Sequence, residues 1–242
     1  MSFMNYSIKE LKKNCLKKNG PISCRLYFRR VAVYITWLFV RTSISPNQVT
    51  FLSFILQLVG SALLFFSSYK YSVIAVILLQ LRMIFDSVDG ELARCKNMRS
   101  GIGVYYDRLI HAIEPLAFIG IAYASFIKFN DITFFLLAFS ITMSMLFLRL
   151  TISEKYRVYY EQKLTKKKEQ KKESKISLLK IGKLFYDKSG FLFRIPALFN
   201  IVAVLAFFNK LHWSLYFYGI LFPFAALGSF LYESMVRFKQ VE

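Results

Sequence analysis

The chain has 242 residues, of which 56% are hydrophobic, 18% aromatic and only 19% charged; 33 Lys and Arg stand against 14 Asp and Glu, a formal charge of +19. A soluble domain needs polar side chains to cover its exterior, so this composition calls for an apolar solvent around much of the surface and excludes disordered, collagen-like and disulfide-scaffold classes. The basicity suits anionic headgroups, and the long apolar runs make nucleic acid the poorer partner.

The N-terminal stretch MSFMNYSIKELKKNCLKKNG has no apolar core and no small-residue cleavage site, so no removable signal peptide is expected. Cys15, Cys24 and Cys95 are odd in number and lack zinc-type spacing. Two of the three lie in Lys/Arg-rich sequence expected to face the cytosol, where reduced thiols are the default. Residues 25–44, RLYFRRVAVYITWLFVRTSI, punctuate aromatic and aliphatic residues with Arg25, Arg29, Arg30 and Arg41. That pattern predicts a helix lying in the headgroup plane, so 1–44 reads as a basic segment with an interfacial amphipathic helix.

Pro46 falls where a first helical turn accepts it, and the run Val49–Phe66 is long enough to span. Further spans are predicted at Ser72–Phe85 (helical on to Lys96), Ile102–Phe129, Ile132–Ile152, Phe191–Phe208 and Trp213–Met235. A basic connector occupies 153–188. The expected architecture is an all-α integral membrane protein, with six transmembrane helices in 45–242 preceded by the N-terminal interfacial amphipathic helix. Alternation leaves only Lys70, Lys128 and Lys210 in the three loops of one side, so the other side is cytosolic by the positive-inside rule. An inner or plasma membrane is expected. The run KLTKKKEQKKESK at 163–175 reads as a solvated loop that sets topology rather than as a lipid-sensing patch.

An ionisable side chain inside a span costs about 2.5–3.5 kcal/mol on insertion, so a group of them needs a reason. The second and third spans hold Arg82, Asp86, Asp89, Glu91, Arg94, Asp107, Arg108, His111 and Glu114. At 100° per residue, Asp86, Asp89, Gly90 and Ala93 share one helix face, and Asp107, His111 and Glu114 share one face of the next helix. A connector of a few residues makes the two helices antiparallel neighbours whose polar faces meet near the cytosolic end. Converging carboxylates in low dielectric repel unless cations neutralise them, and oxygen-rich ligation favours Mg²⁺ or Mn²⁺, here as a two-metal site. The structural alternative is salt bridging of these aspartates with Arg82, Arg94 and Arg108.

The run Asp86-x-x-Asp89-Gly90-x-x-Ala93-Arg94, eight residues, Gly103-x-x-x-Asp107-x-x-x-His111 resembles the signature of the CDP-alcohol phosphotransferase (CDP-alcohol phosphatidyltransferase) family, D-x-x-D-G-x-x-A-R-x8-G-x-x-x-D-x-x-x-D, at seven of its eight fixed positions. The segment SPNQVT at 45–50 is similar to the family's P-N-x-V-T opening of the first span. The resemblance implies transfer of a phosphoalcohol, phosphatidyl-type group from a CDP-linked donor to an acceptor hydroxyl with release of CMP. The donor would be CDP-diacylglycerol or another CDP-alcohol, in phospholipid or related lipid or glycan synthesis. It further implies Asp86, Asp89 and Asp107 as metal ligands and Gly90, Ala93, Arg94 and Gly103 around the cytidine nucleotide, with Asn47 and Thr50 nearby. Membrane lipids surround the protein, and homodimerisation is expected.

The departure is His111, standing where the family has its last Asp. Imidazole serves either as the base that deprotonates the acceptor or as a metal ligand. His111 and Asp107 are thus the catalytic candidates, and His111 joins the metal candidates. Glu114, one turn on, either supplies the missing carboxylate or pairs with a neighbouring helix. Arg82 and Arg149 either bind a phosphate or pair with other helices. Two alternatives stay open: a transport or non-catalytic protein retaining the fold, and a family variant using a CDP-amino alcohol, CDP-polyol or CMP-phosphonate donor.

Overall fold

A computed structural model of the chain describes residues 7–16, 28–165 and 195–241, and every regular element among them is helical. The expected fifth span before Ile195, Cys24 and the basic run beyond Thr165 lie outside the described residues.

The helices are α1 (Ile8–Asn14), α2 (Arg29–Val40), α3 (Pro46–Leu63), α4 (Tyr69–Cys95), α5 (Gly101–Ile113), α6 (Leu116–Phe129), α7 (Thr133–Thr165), α8 (Ile195–Phe207) and α9 (Trp213–Val241). Local sequence sets their ends. Ser45 caps α3 in a reciprocal box with Gln48: the Gln48 N–H donates to the Ser45 hydroxyl and the Ser45 N–H to Gln48 Oε1 at 2.8 Å, with Pro46 opening the helix. Asn97, Asn130 and Asn209 take left-handed backbone conformations with φ near 52° just past α4, α6 and α8. A short amide side chain tolerates that region where a branched one would not, so these three asparagines stop their helices without glycine. Beyond α4, the Met98 N–H reaches back to the Ala93 carbonyl at 3.0 Å, closing the end.

The third expected span is interrupted. Pro115 has no N–H to give the His111 carbonyl, so helical pairing lapses at Glu114–Pro115 and resumes at Leu116. The fourth expected span runs on past Ile152, since α7 stays helical through Thr165.

Among the described residues, four segments are long and apolar enough to cross a membrane: Tyr69–Cys95, Gly101–Phe129, Thr133–Thr151 and Trp213–Leu231. On α7, Leu136, Phe139, Met143, Leu146 and Leu150 are all exposed at intervals of three or four residues, which is one face of the helix. Such a stripe is stable only against hydrocarbon, and the protein is an integral membrane protein. Expectation and structure agree on an all-α membrane fold; α3 and α8 fall outside the set of four.

α3 packs on both α4 and α5, whereas α4 and α5 have little backbone contact with each other. Their polar faces meet as expected, but through side chains, across a gap floored by α3. Gly60 allows the close approach of α3 to α4, because a Cβ there would lie 3.0 Å from Leu79 Cγ and 3.2 Å from the Ala75 carbonyl. α2 lies against α4, where the Thr36 hydroxyl donates to buried Glu91 at 3.0 Å.

Reduced cysteines were expected, but Cys15 and Cys95 form a disulfide between the end of α1 and the end of α4. Eighty residues separate the two in sequence, and only folding brings them together.

Candidate metal centre

One oxygen of Asp86, one of Asp107 and a ring nitrogen of His111 lie within 4.8 Å of one another, a spacing that can hold a metal ion. Asp86 comes from α4, Asp107 and His111 from consecutive turns of α5, so the cluster bridges the gap that α3 floors. His111 Nε2 stands 3.6 Å from Asp107 Oδ1. Asp89, one turn beyond Asp86, is outside this triad and accepts a hydrogen bond from the Thr50 hydroxyl of α3 at 2.7 Å. The expected four-residue set is thus present as three groups together and a fourth held to one side.

The placement of Arg82 and Arg94 bears on the choice between ligation and salt bridging. Arg82 is fully buried and pairs with Glu114 at 2.9 Å. Arg94 donates from Nε to the Cys15 carbonyl at 2.5 Å. Among the described residues, neither Asp86 nor Asp89 forms an ion pair with lysine or arginine. Carboxylates gathered in a half-buried gap without cationic partners are costly unless something positive enters. Three carboxylates and one imidazole fit a divalent cation, and hard oxygen donors dominate the set.

Glu114 does not supply the missing carboxylate. Its side chain is fully buried, takes the Arg82 guanidinium on Oε1 and that of Arg149 on Oε2 at 2.5 Å, and meets His111 Nδ1 at 2.8 Å. Arg82 and Arg149 accordingly take the pairing option left open by the sequence.

The nucleotide candidates lie on α3, α4 and α5. Gly90 leaves room for Arg94, whose Nη1 would stand 3.4 Å from a Cβ at that position. Asn47 Oδ1 accepts from the Ser100 hydroxyl at 2.8 Å, and Ser100 in turn caps α5 by accepting from the Gly103 N–H at 3.1 Å. A Cβ on Gly103 would come within 2.9 Å of Asn47 Oδ1, so the glycine is what lets α5 sit against the start of α3. Thr50 is buried beneath Asp89, and Ala93 adds little bulk beside Arg94. Ser100 was not singled out from sequence; its position just before Gly101, at a helix start, is the signal that would have found it.

Comparison with known proteins places the chain in a family. The model of the family described as CDP-alcohol phosphatidyltransferase matches residues 43–230, and the chain belongs to that family of phosphotransferases. A protein of Aquifex aeolicus (strain VF5), named only as uncharacterized, is 30% identical over 116 residues, covering 47% of this chain and 56% of that protein. A "Bifunctional IPC transferase and DIPP synthase" of Thermococcus kodakarensis (strain ATCC BAA-918 / JCM 12380 / KOD1) is 36% identical over 98 residues, 40% of this chain and 22% of that protein. The matched regions thus span about half and about a fifth of those two relatives.

Proposed function

We propose that the chain transfers a phosphoalcohol group from a CDP-linked donor to an acceptor hydroxyl and releases CMP, in lipid synthesis. The observation that carries this reading is the Asp86–Asp107–His111 cluster, inside the region matched by the family model. A relative named as both a transferase and a synthase supports a transfer reaction. CDP-diacylglycerol is the proposed donor.

Asp86, Asp89 and Asp107 are the proposed ligands of Mg²⁺ or Mn²⁺. When bound, the metal supplies charge neutralisation for the pyrophosphate and for the departing CMP. Thr50 orients Asp89 through its hydroxyl. Asn47, Thr50, Gly90, Ala93, Arg94 and Gly103 line the nucleotide, Arg94 being the cation nearest to Gly90. The acceptor oxygen attacks the β-phosphorus, the bond from that phosphorus to the CMP oxygen breaks, and His111 Nε2 takes the hydroxyl proton. The catalysis asked of the protein is mostly positioning. Asp107, 3.6 Å from that nitrogen, stabilises the imidazolium as it forms.

The same reading gives the molecule six spans, with α3 and the α8 region added to the four long ones, α2 as an interfacial helix, and a homodimer with its sites facing the cytosol. The test is to incubate purified protein with a panel of CDP-donors and Mg²⁺ or Mn²⁺ and to identify products by mass spectrometry. CMP release that needs the metal and disappears in Asp89→Asn is the expected result. No CMP from any donor with either ion would overturn the reading.

A further inference from the structure

The Arg82–Glu114–Arg149 group contributes no ligand to the cluster, yet it touches the one residue that departs from the family's pattern. Its three members come from different places: Arg82 from the middle of α4, Glu114 from the Pro115 break and Arg149 from α7. With two guanidinium groups flanking it and no exposed surface, the Glu114 carboxylate is an acceptor held in one orientation.

The geometry points to Glu114 as a positioning residue that fixes the tautomer of His111. Oε1 lies 2.8 Å from Nδ1. A bare nitrogen lone pair at that distance from a carboxylate oxygen would be repelled, whereas an Nδ1–H makes a charge-assisted bond. Arg82 Nη2 is 3.4 Å from the same nitrogen and could donate only to a bare one, a longer and weaker contact that competes with its 2.9 Å bond to Glu114. The proton therefore sits on Nδ1. Nε2 keeps its lone pair and directs it toward Asp107 and the cluster.

What the bare Nε2 is used for rests on the proposed phosphotransfer; the tautomer itself does not. An aspartate at position 111 has no tautomer to choose, so the carboxylate at 114 matters to function only while residue 111 is histidine.

Two measurements test this. The sequence has only two histidines, so ¹⁵N-histidine labelling of the full chain in lipid nanodiscs yields two imidazoles, and His212→Asn assigns them. Burial, with Lys128 and Lys210 nearby, holds the His212 imidazole below its ordinary pKa, so that ring is neutral at mildly alkaline pH. The His111 ring is read at the alkaline end of a pH series, where its doubly protonated form is absent from the spectrum. The expected spectrum for His111 has a protonated Nδ1 and a bare Nε2; the opposite pattern overturns the proposal whatever the enzyme does. The second measurement uses Glu114→Asp, which keeps a charge between the arginines but withdraws it from Nδ1. It is expected to lower kcat about 10–100-fold with donor KM within about twofold. In a His111→Asp background the same change is expected to alter kcat by less than about threefold. Equal losses in both backgrounds mean a purely structural role and sink the assignment. Should wild-type protein release no CMP at all, the functional reading fails and the spectrum alone decides the tautomer.

Discussion

At the scale of single residues, the site depends on small side chains placed where polar groups converge. Gly103 faces the Asn47–Ser100 pair with no room for a methyl group. Gly103→Ala should destabilise the protein by about 1–3 kcal/mol, as overpacking does, and lower its thermal midpoint. The effect should be largely suppressed in Asn47→Ala, where the clashing oxygen is gone; an unsuppressed loss would place the strain elsewhere. Thr50 offers a cleaner probe of the metal centre. Thr50→Val removes the hydroxyl that holds Asp89 while keeping the shape, and Thr50→Ser keeps the hydroxyl. The valine variant should need about 10–100-fold more Mn²⁺ for half-maximal CMP release, and the serine variant should behave like wild type. The residues of the cluster itself were legible in sequence because carboxylates at helical spacing inside apolar runs have few other uses. For Glu114 the sequence favours a contact to a neighbouring helix over ligation, as found, but it does not name the partner, because Arg149 arrives from a helix 35 residues further on.

At the scale of elements, two bonds tie the end of α1 to the end of α4: the Cys15–Cys95 link and the Arg94 bond to the Cys15 carbonyl. Both act on the residues that end α4. Cys15→Ser, or reduction of the wild type, should loosen α1 so that trypsin cuts faster at its already exposed Lys9, Lys12 and Lys13, and should raise donor KM, as Arg94 loses its anchor. Unchanged cleavage and KM would show that packing of Leu11 alone suffices. The helix ends were largely readable: Ser45–Pro46 begins α3, and polar residues follow α4. The interruption at Pro115 was overridden in the reading by the apolar run on either side, although the missing N–H is a sequence-level fact. The disulfide had no local signature, since a pairing across 80 residues follows from the docking of α1 and not from spacing.

At the scale of the whole molecule, charge asymmetry carries the orientation. If the carboxylate end faces the cytosol, a cysteine introduced at Asn130 in the α6–α7 turn should react with an impermeant maleimide on intact cells. One introduced at Arg99, between α4 and α5, should react only after permeabilisation; native cysteines are replaced first. The reverse pattern would invert the topology.

α7 also sets a height. Its membrane-suited part ends at Thr151, but the helix continues to Thr165, which at 1.5 Å per residue carries the chain about 20 Å further. Salt at physiological strength damps electrostatic influence over about 8 Å. Set along the membrane normal, α7 is thus a pylon whose tip at Thr165 stands beyond the reach of the lipid charge beside Thr151.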